Sequence, residues 1–421
     1  MTDSFNTKHT LFGDGINDDT AAIQELIDSG ISQVLLPAPK VCYLISKPLE
    51  LPSNFSLILP RFAEIKLAKN SNCVMLKNKT KDLFQKRADS PFWYYVNEYS
   101  PDFNCRNIEV KGGIWNFNNK EQAENPLASR NFDIKYYSGF GMLFYNVTNL
   151  TLSSLTIKDP ANFAIVMDKT EYFTVENIYF DFNDGNPDPG NMDGVHLCGN
   201  CRFGTIKNIK GATYDDLVAL NADEGSCGEI SNIEVSGIYA EDCHSAVRLL
   251  AANCIVKNIH ISDIFGTYYQ YCIGITRNYP TNSKGLYDAI TIKNVYASKA
   301  ERYCGGYRTN PDGHKWRVFG PKKFAKEDEK IEDDSLALIF IDSLLYIKSL
   351  KIENLHRKEY NTPIDTIYVC NDTEIDNLIL ENIATENHCN QNEMPLLTNN
   401  GLIKKLHTNS VYCNGKSVSL N

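Results

Sequence analysis

The chain has 421 residues and a formal net charge of −10, from 42 basic and 52 acidic residues. This balance argues against a nucleic-acid-binding protein, which would normally present a basic face. No segment reaches the roughly 18 consecutive apolar residues of a membrane-spanning helix. We therefore expect neither a nucleic acid nor a membrane as a partner.

The N-terminal segment MTDSFNTKHT is polar and lacks the apolar core of a signal peptide. We expect a cytoplasmic protein if the chain is complete, and a secreted or periplasmic one if a leader was removed. Residues 12–30 predict a capping helix, because Asp18 and Asp19 suit a helix N-cap, apolar residues follow at helical spacing, and Gly30 ends the pattern. The end of a solenoid exposes its core and needs such a cap.

A repeated phrase follows, in which a polar residue, often Asn, precedes an apolar β-forming residue. The apolar members are Leu155, Ile178, Ile209, Ile238, Ile264, Val295, Leu355 and Ile383. Successive members lie 23 to 31 residues apart, except for one step of 60 that we interpret as two turns. This spacing predicts an all-β fold, a single-stranded right-handed parallel β-helix that forms one domain over residues 1–421.

A second strand precedes each phrase, and aligning these strands brings acidic residues together. Two inward columns are predicted, Val195, Val218, Val247 and Ile273 and then Leu197, Leu220, Leu249 and Ile275. Between them an outward column holds His196, Ala219, Arg248 and Gly274. The same alignment places Asp193 and Asp216 at one position on adjacent rungs, about 5 Å apart at the backbone, with Asp215 beside them.

Two insertions interrupt the repeat, at residues 78–104 and 300–335. The first contains the aromatic cluster PFWYYVNEY (91–99). The second is charged and carries His314, Trp316, Arg317, Lys322 and Lys323. Long loops in a solenoid usually carry function or contacts, so each insertion predicts a substrate wall or a subunit contact. A homo-oligomer is left open.

The 13 cysteines are odd in number and scattered, which is not the pattern of a disulfide scaffold. Cys198 and Cys201 form a CxxC, but two further zinc ligands at recognisable spacing are missing from the sequence. We therefore predict small buried thiols, and neither a metal nor a cofactor.

Four segments carry a family resemblance: GDGINDDTAAIQ (13–24), NMDG (191–194), YDDLVALN (214–221) and AVRLL (246–250). They resemble the pectate-lyase-like β-helix superfamily and, within it, the polygalacturonase family, glycoside hydrolase family 28. The resemblance covers most of residues 10–300. It implies hydrolysis of a pectin-like or related poly- or oligosaccharide with inversion at the anomeric carbon.

The resemblance also implies roles for single residues. Asp215 is the general acid, and Asp193 and Asp216 hold the attacking water. Arg248 binds a hydroxyl or an acidic substituent of the sugar, and His196 orients a carboxylate. The remaining substrate-binding candidates, which surround these groups or form a neighbouring subsite, are Asn191, Asn221, Asp223 and Glu224.

The sequence departs from the family at two points. The Gly-His-Gly turn expected between the Asp-Asp and Arg strands is absent, and His196 and His244 are the candidates for its role. Leu250 stands where the family has a lysine associated with the uronate carboxylate, which leaves the identity of the sugar open.

Other interpretations of the same residues also remain open. One alternative is that Asp193 and Asp216 are turn residues whose side chains hydrogen-bond to the backbone. Another is that His196 is a surface histidine and that Arg248 is a counter-ion for the acids. Four residues on the next rung extend a sugar cleft or simply pack, namely Tyr268, Tyr269, Tyr271 and Arg277. The alternative functions on this fold are a polysaccharide lyase or sugar epimerase, and a non-catalytic carbohydrate-binding β-helix.

Overall fold

The structure, a computed structural model, describes residues 8–79, 84–86, 95–97, 104–123, 139–182, 191–279, 281–309, 315–321, 336–389 and 393–420. It comprises two compact units, Met1–Asp188 and Pro189–Asn421. In the described part of the chain, no helix combines the length and apolarity that crossing a membrane requires.

The described residues of the first unit form strands, one α-helix and one 3-10 helix. The elements are α1 (Thr20–Ile27), β1 (Gln33–Leu35), β2 (Tyr43–Ile45), β3 (Leu49–Leu51), β4 (Phe55–Ile58), β5 (Glu64–Leu67), β6 (Leu76–Asn78), β7 (Phe84–Lys86), β8 (Tyr95–Asn97), β9 (Cys105–Lys111), β10 (Ile114–Asn116), η1 (Asn119–Glu121), β11 (Met142–Tyr145), β12 (Val147–Ser153), β13 (Thr156–Lys158), β14 (Ile165–Asp168) and β15 (Glu171–Asp181). Parallel pairing gives three stacks: β1–β4–β9–β12–β15, β2–β5–β10–β13–β15 and β3–β6–β11–β14. Stacks of this kind are the faces of a parallel β-helix.

Helix α1 confirms the predicted N-terminal capping helix. Its apolar face, which includes Ile23 and Leu26, is buried. The N-cap residue is Asp19, whose side chain makes no capping hydrogen bond, and the Asp18 carboxylate accepts the Thr20 N–H at 2.9 Å. The neighbouring Asp19 carboxylate instead accepts N–H groups from the preceding segment, including that of Phe12 at 2.6 Å. The acid pair therefore ties the start of the helix to the surrounding chain.

The second unit continues with β16 (Val195–Leu197), β17 (Arg202–Lys210), β18 (Asp216–Asn221), β19 (Ile230–Cys243), β20 (Ser245–Leu250), β21 (Ile255–Tyr268), β22 (Ile273–Thr276), β23 (Gly285–Lys299), β24 (Arg302–Thr309), β25 (Lys315–Pro321), β26 (Ile339–Ile341), β27 (Leu345–Glu359), β28 (Ile367–Val369), β29 (Glu374–Asn387), β30 (Leu397–Asn399), β31 (Leu402–Ile403), β32 (Leu406–Cys413) and β33 (Lys416–Ser417). Long strands stack in parallel as β17–β19–β21–β23–β27–β29–β32. Short strands stack as β16–β18–β20–β22–β26–β28–β30. The predicted parallel β-helix class is thus confirmed, whereas one continuous domain over 1–421 stays a prediction.

The repeated phrase marks one position in the long stack. Ile209 pairs with Ile238, which pairs with Ile264, and the column continues to Val295. Val295 then pairs directly with Leu355. The interpretation of the 60-residue step as two turns is therefore wrong, because β24 and β25 form an antiparallel hairpin within a single turn.

The backbone conformation explains why a polar residue or glycine recurs at this position of the phrase. This residue has a positive φ in every phrase, and the residues are Ser154, Asn177, Asn208, Gly237, Asp263, Asn294, Asn354 and Asn382. Asn, Asp and Gly tolerate this left-handed conformation best. The side chains also bond between rungs, since Asn294 donates to Asp263 at 2.9 Å and accepts from Asn354 at 3.0 Å. The repeat therefore reflects a bend that each rung makes at one place.

The insertions are described only in part. In the first, β7 and β8 form an antiparallel hairpin, and residues 91–94 and 98–99 of the aromatic cluster lie outside the described residues. In the second, His314, Lys322 and Lys323 lie outside them, as do the side chains of Trp316 and Arg317. The substrate-wall and subunit-contact interpretations stay predictions.

Substitutions at Asn294 separate the bend from the ladder. Asn294→Ala loses two hydrogen bonds and strains the left-handed backbone, so we expect the free energy of unfolding to fall by about 2 kcal/mol. Asn294→Gly loses the same bonds without the strain, and should be more stable than the alanine variant by about 0.5–1 kcal/mol. Urea unfolding followed by circular dichroism measures both, and a glycine variant no more stable than the alanine variant would contradict this account.

Candidate active site

The predicted strand register is present in the second unit. Val195 pairs with Val218, and Val218 pairs with Val247. The outward column runs His196, Ala219, Arg248, Gly274, as the alignment predicted. Asp193 and Asp216 each lie two residues before a paired valine, so they occupy equivalent positions on neighbouring rungs.

Asp216 is buried and is surrounded by hydrogen-bond donors. The Ser245 hydroxyl donates to Oδ1 at 2.5 Å, and the Tyr271 hydroxyl donates to the same oxygen at 3.3 Å. Arg248 Nη1 lies 3.4 Å from Oδ2. Burial raises the pKa of Asp216, but interactions with His244 and Arg248 outweigh it and lower the pKa to about 2. This carboxylate is therefore ionised at neutral pH.

Asp215, its neighbour in sequence, has a different environment. Its side chain is 21% exposed, and burial together with the charge of Asp216 raises its pKa. His244 Nδ1 lies 3.6 Å from Asp215 Oδ1 and 3.8 Å from Asp216 Oδ1. The imidazole ring is held edge-on against Tyr269, with ring centroids 5.3 Å apart. Of the two histidine candidates, His244 is the one beside the acid pair.

Asp193 belongs to a second buried group. Its Oδ2 lies 2.6 Å from His196 Nδ1, and His196 Nε2 lies 2.7 Å from Glu224 Oε2. His196 is 1% exposed, so its interpretation as a surface histidine is wrong. Burial, and then the charge of Asp215, raise the pKa of Asp193 well above its ordinary value.

The other substrate-binding candidates have separate positions. The Asp223 carboxylate accepts backbone N–H groups of Ala252 at 2.5 Å and of Asn253 at 2.9 Å, which is the role of a turn residue. Asn221 ends β18 and is 2% exposed. Asn191 lies two residues before Asp193, in a left-handed conformation with φ 52°.

Several contacts of the site were not predicted from the sequence. Ser245 pairs with Asp216 in the strand register. It lies three residues before Arg248, as Asp216 lies three residues before Ala219, so the alignment of the strands could have identified it. Tyr271 covers Gly274, where a Cβ atom would meet the ring at 2.6 Å. The Tyr279 hydroxyl donates to Glu224, and no repeat signal marks that tyrosine.

The neighbouring rung is mostly packing. Tyr268 and Tyr269 are fully buried, which confirms the packing interpretation for both. Arg277 binds the turn that follows its strand, through the Ser283 carbonyl at 2.8 Å and the Thr281 hydroxyl at 3.0 Å. Arg248 donates to the Thr276 hydroxyl at 3.0 Å, so it is more than a counter-ion to Asp216.

One group at the site has the chemistry to hold a metal ion. Ligand atoms of Asp215, Asp216 and His244 lie within 4.8 Å of one another. The guanidinium of Arg248 already provides positive charge at Asp216. Cys198 and Cys201 are buried. That the protein uses no metal stays a prediction.

Fold and site define a parallel β-helix protein with carboxylates clustered on neighbouring rungs. Residues 104–264 match the family described as Glycosyl hydrolases family 28, and this confirms the predicted resemblance over that segment. The chain is also similar to "Probable endopolygalacturonase E" of Aspergillus niger, with 23% identity over 193 residues, covering 39% of this chain and 51% of the relative. The match thus spans about half the length of this curated relative.

Solved structures show the same fold. An exopolygalacturonase from Thermotoga maritima gives a TM-score of 0.56 at 13% identity, covering 94% of this chain and 89% of its own. A tailspike protein mutant of E. coli bacteriophage HK620, in complex with a hexasaccharide, gives a TM-score of 0.57 at 12% identity. The match covers 93% of this chain and 61% of the tailspike chain. At these identities the likeness establishes the right-handed parallel β-helix fold alone.

The low pKa of Asp216 predicts how stability changes with acid. The Asp216 carboxylate has a pKa of about 2 in the folded protein, below its ordinary value of 3.8. It therefore stabilises the fold above pH 3.8, and this contribution is lost as the pH falls towards 2. We expect the free energy of unfolding of Asp216→Asn to decline less between pH 4 and pH 2 than that of the native protein. Urea titrations at each pH measure this, and parallel declines would contradict the assigned pKa.

Proposed function

We propose that this protein is a glycoside hydrolase that cleaves a pectin-like or related poly- or oligosaccharide with inversion at the anomeric carbon. The observation that carries the proposal is the meeting of Asp193, Asp215 and Asp216 on neighbouring rungs in unlike environments. Glycoside hydrolysis needs one protonated carboxyl group and one carboxylate, and such a site obtains them by separating the pKa values of its acids. The match of residues 104–264 to family 28 supports the same chemistry.

The environments favour a division of roles. Asp215, with a raised pKa and a partly exposed side chain, protonates the leaving oxygen. Asp216 stays ionised and, together with Asp193, holds the water that attacks the anomeric carbon. His244 lies beside Asp215 and Asp216 and takes the place of the histidine that the family carries in its Gly-His-Gly turn.

Arg248 is the proposed contact to the sugar. Its side chain is 16% exposed, and its Nε and Nη1 are directed to Thr276 and Asp216. The rest of the guanidinium is suited to a sugar hydroxyl or an acidic substituent, since it offers planar donors. A carbohydrate is thus the proposed partner of this site.

A substrate screen tests the function. The protein is incubated with matched neutral and acidic oligosaccharides, and new reducing ends and ultraviolet absorbance are measured. We expect new reducing ends without an absorbing product. An unsaturated product that absorbs and is lost with a chelator would establish a lyase instead, and oligosaccharide binding without turnover would establish a binding protein.

Substitution of the acids tests the site. Asp193→Asn and Asp216→Asn should each lower kcat by about 10²–10⁴-fold, because each removes a carboxylate that takes part in the water attack. Circular dichroism should show that both variants keep the fold, although Asp216→Asn should melt at a lower temperature because it lacks the stabilising carboxylate. Glu229→Gln is the matched control, since Glu229 forms a partly exposed ion pair with Lys257 at 2.6 Å. If either aspartate variant keeps most of its activity, the assignment is wrong.

A further inference from the structure

Asp193, His196 and Glu224 form a continuous buried chain of ionisable groups. His196 lies between the two carboxylates, 2.6 Å from Asp193 Oδ2 through Nδ1 and 2.7 Å from Glu224 Oε2 through Nε2. The side chains are 3%, 1% and 6% exposed in chain order. An imidazole in this position is directed by one nitrogen to each acid, so the orientation of its ring is fixed at both ends.

Glu224 is itself held from three sides. It lies in the turn after β18, and its carbonyl accepts the Gly199 N–H at 3.0 Å from the turn after β16. On the other side, the adjacent Asp223 anchors the turn to the backbone of Ala252. The hydroxyl of Tyr279 donates to the Glu224 carboxylate. The carboxylate therefore has little freedom to move away from His196.

Charge favours a protonated His196. Burial lowers the pKa of His196, but the charge of Glu224 and the hydrogen bond to Asp193 outweigh it, and the pKa lies well above its ordinary value. An imidazolium has an N–H at both nitrogens, so it donates a hydrogen bond to Asp193 through Nδ1 and forms an ion pair with Glu224 through Nε2. The other ionisable or polar groups that act on these three residues are Cys198, Asp215, Asp216, Arg248 and Tyr279.

We infer that Glu224 and His196 are positioning residues that hold the carboxylate of Asp193 in its reactive orientation. The inference rests on the proposed function of Asp193. Neither residue needs to touch the substrate, since both are buried. Glu224 fixes the protonated ring, and the ring fixes Asp193 Oδ2, which leaves the second carboxylate oxygen for water. Such support matters because small misplacements of a reacting group lower the rate strongly.

Kinetics of Glu224→Gln and His196→Gln test the inference. The glutamine at 224 keeps the volume and removes the charge. We expect kcat to fall by about 10- to 100-fold with KM changed less than threefold, because the loss is in orientation and not in binding. The kcat of the double variant should be no lower than that of the less active single variant, because the two residues act as one unit. Glu229→Gln is again the control.

The pH profile gives a readout that a merely structural role would not move. Without the charge of Glu224, His196 loses its proton at lower pH, and a neutral ring no longer lowers the pKa of Asp193. The limb of the profile that depends on Asp193 should therefore move to higher pH in Glu224→Gln. An unchanged profile with unchanged kcat, or a change in KM alone, would overturn the inference.

Histidine ¹⁵N NMR separates this inference from the proposed function. The signals of His196 are identified by their absence in His196→Gln. In the native protein both of its ring nitrogens should remain protonated above the pH at which an ordinary histidine loses its proton. In Glu224→Gln the second proton should be lost at a lower pH. A neutral His196 at pH 7 in the native protein would overturn the inference even if hydrolysis is observed. The expected titration without any hydrolysis would instead overturn the proposed function.

Discussion

The site depends on the in-register pairing of β16, β18 and β20. Parallel strands in a sheet lie about 4.8 Å apart, so residues at one register position become neighbours whatever their distance in the sequence. Val195 and Val218 are paired in this way. Asp193 and Asp216 each precede one of these valines by two residues, so they are neighbours as well. A slip by one residue would turn every side chain to the other face. The buried valine and leucine columns, all fully inaccessible, make such a slip costly.

Bringing carboxylates together creates an electrostatic problem that the neighbouring side chains solve in two ways. Asp216 is compensated by Arg248, Ser245 and Tyr271, and it remains an anion. Asp193 is paired with the buried His196, whose other ring nitrogen lies against Glu224. Buried charges are tolerated only when they are paired and hydrogen-bonded. Packing thus separates the protonation states of chemically identical groups, which a glycosidase site requires.

The sequence predicted the parts of this arrangement that repeat. The register of His196, Ala219 and Arg248 followed from the alignment of short strands, because a solenoid places the same position of each rung in one column. The recurring Asn was visible as a pattern, although its cause, a left-handed bend with a side-chain ladder, needed the backbone. The step of 60 residues was misinterpreted, since a hairpin inserted in one turn adds length without adding a rung.

Contacts made by turns were not predictable in the same way. Tyr279 reaches Glu224 from the turn after β22, outside the strand columns that the alignment compares. Asp223 is adjacent to Glu224 in sequence, yet its carboxylate binds backbone whereas that of Glu224 lies against His196. The direction in which a turn side chain points depends on φ and ψ of a few residues, and no periodic pattern constrains them.

The most direct test of the central claim, that these carboxylates form an inverting site, is ¹H NMR of the anomeric proton during the first minutes of hydrolysis. With the best substrate of the oligosaccharide screen, the account predicts that the first product has the opposite configuration to the cleaved bond and then mutarotates. A first product that retains the original configuration would contradict it, because retention requires a covalent intermediate on one of the acids.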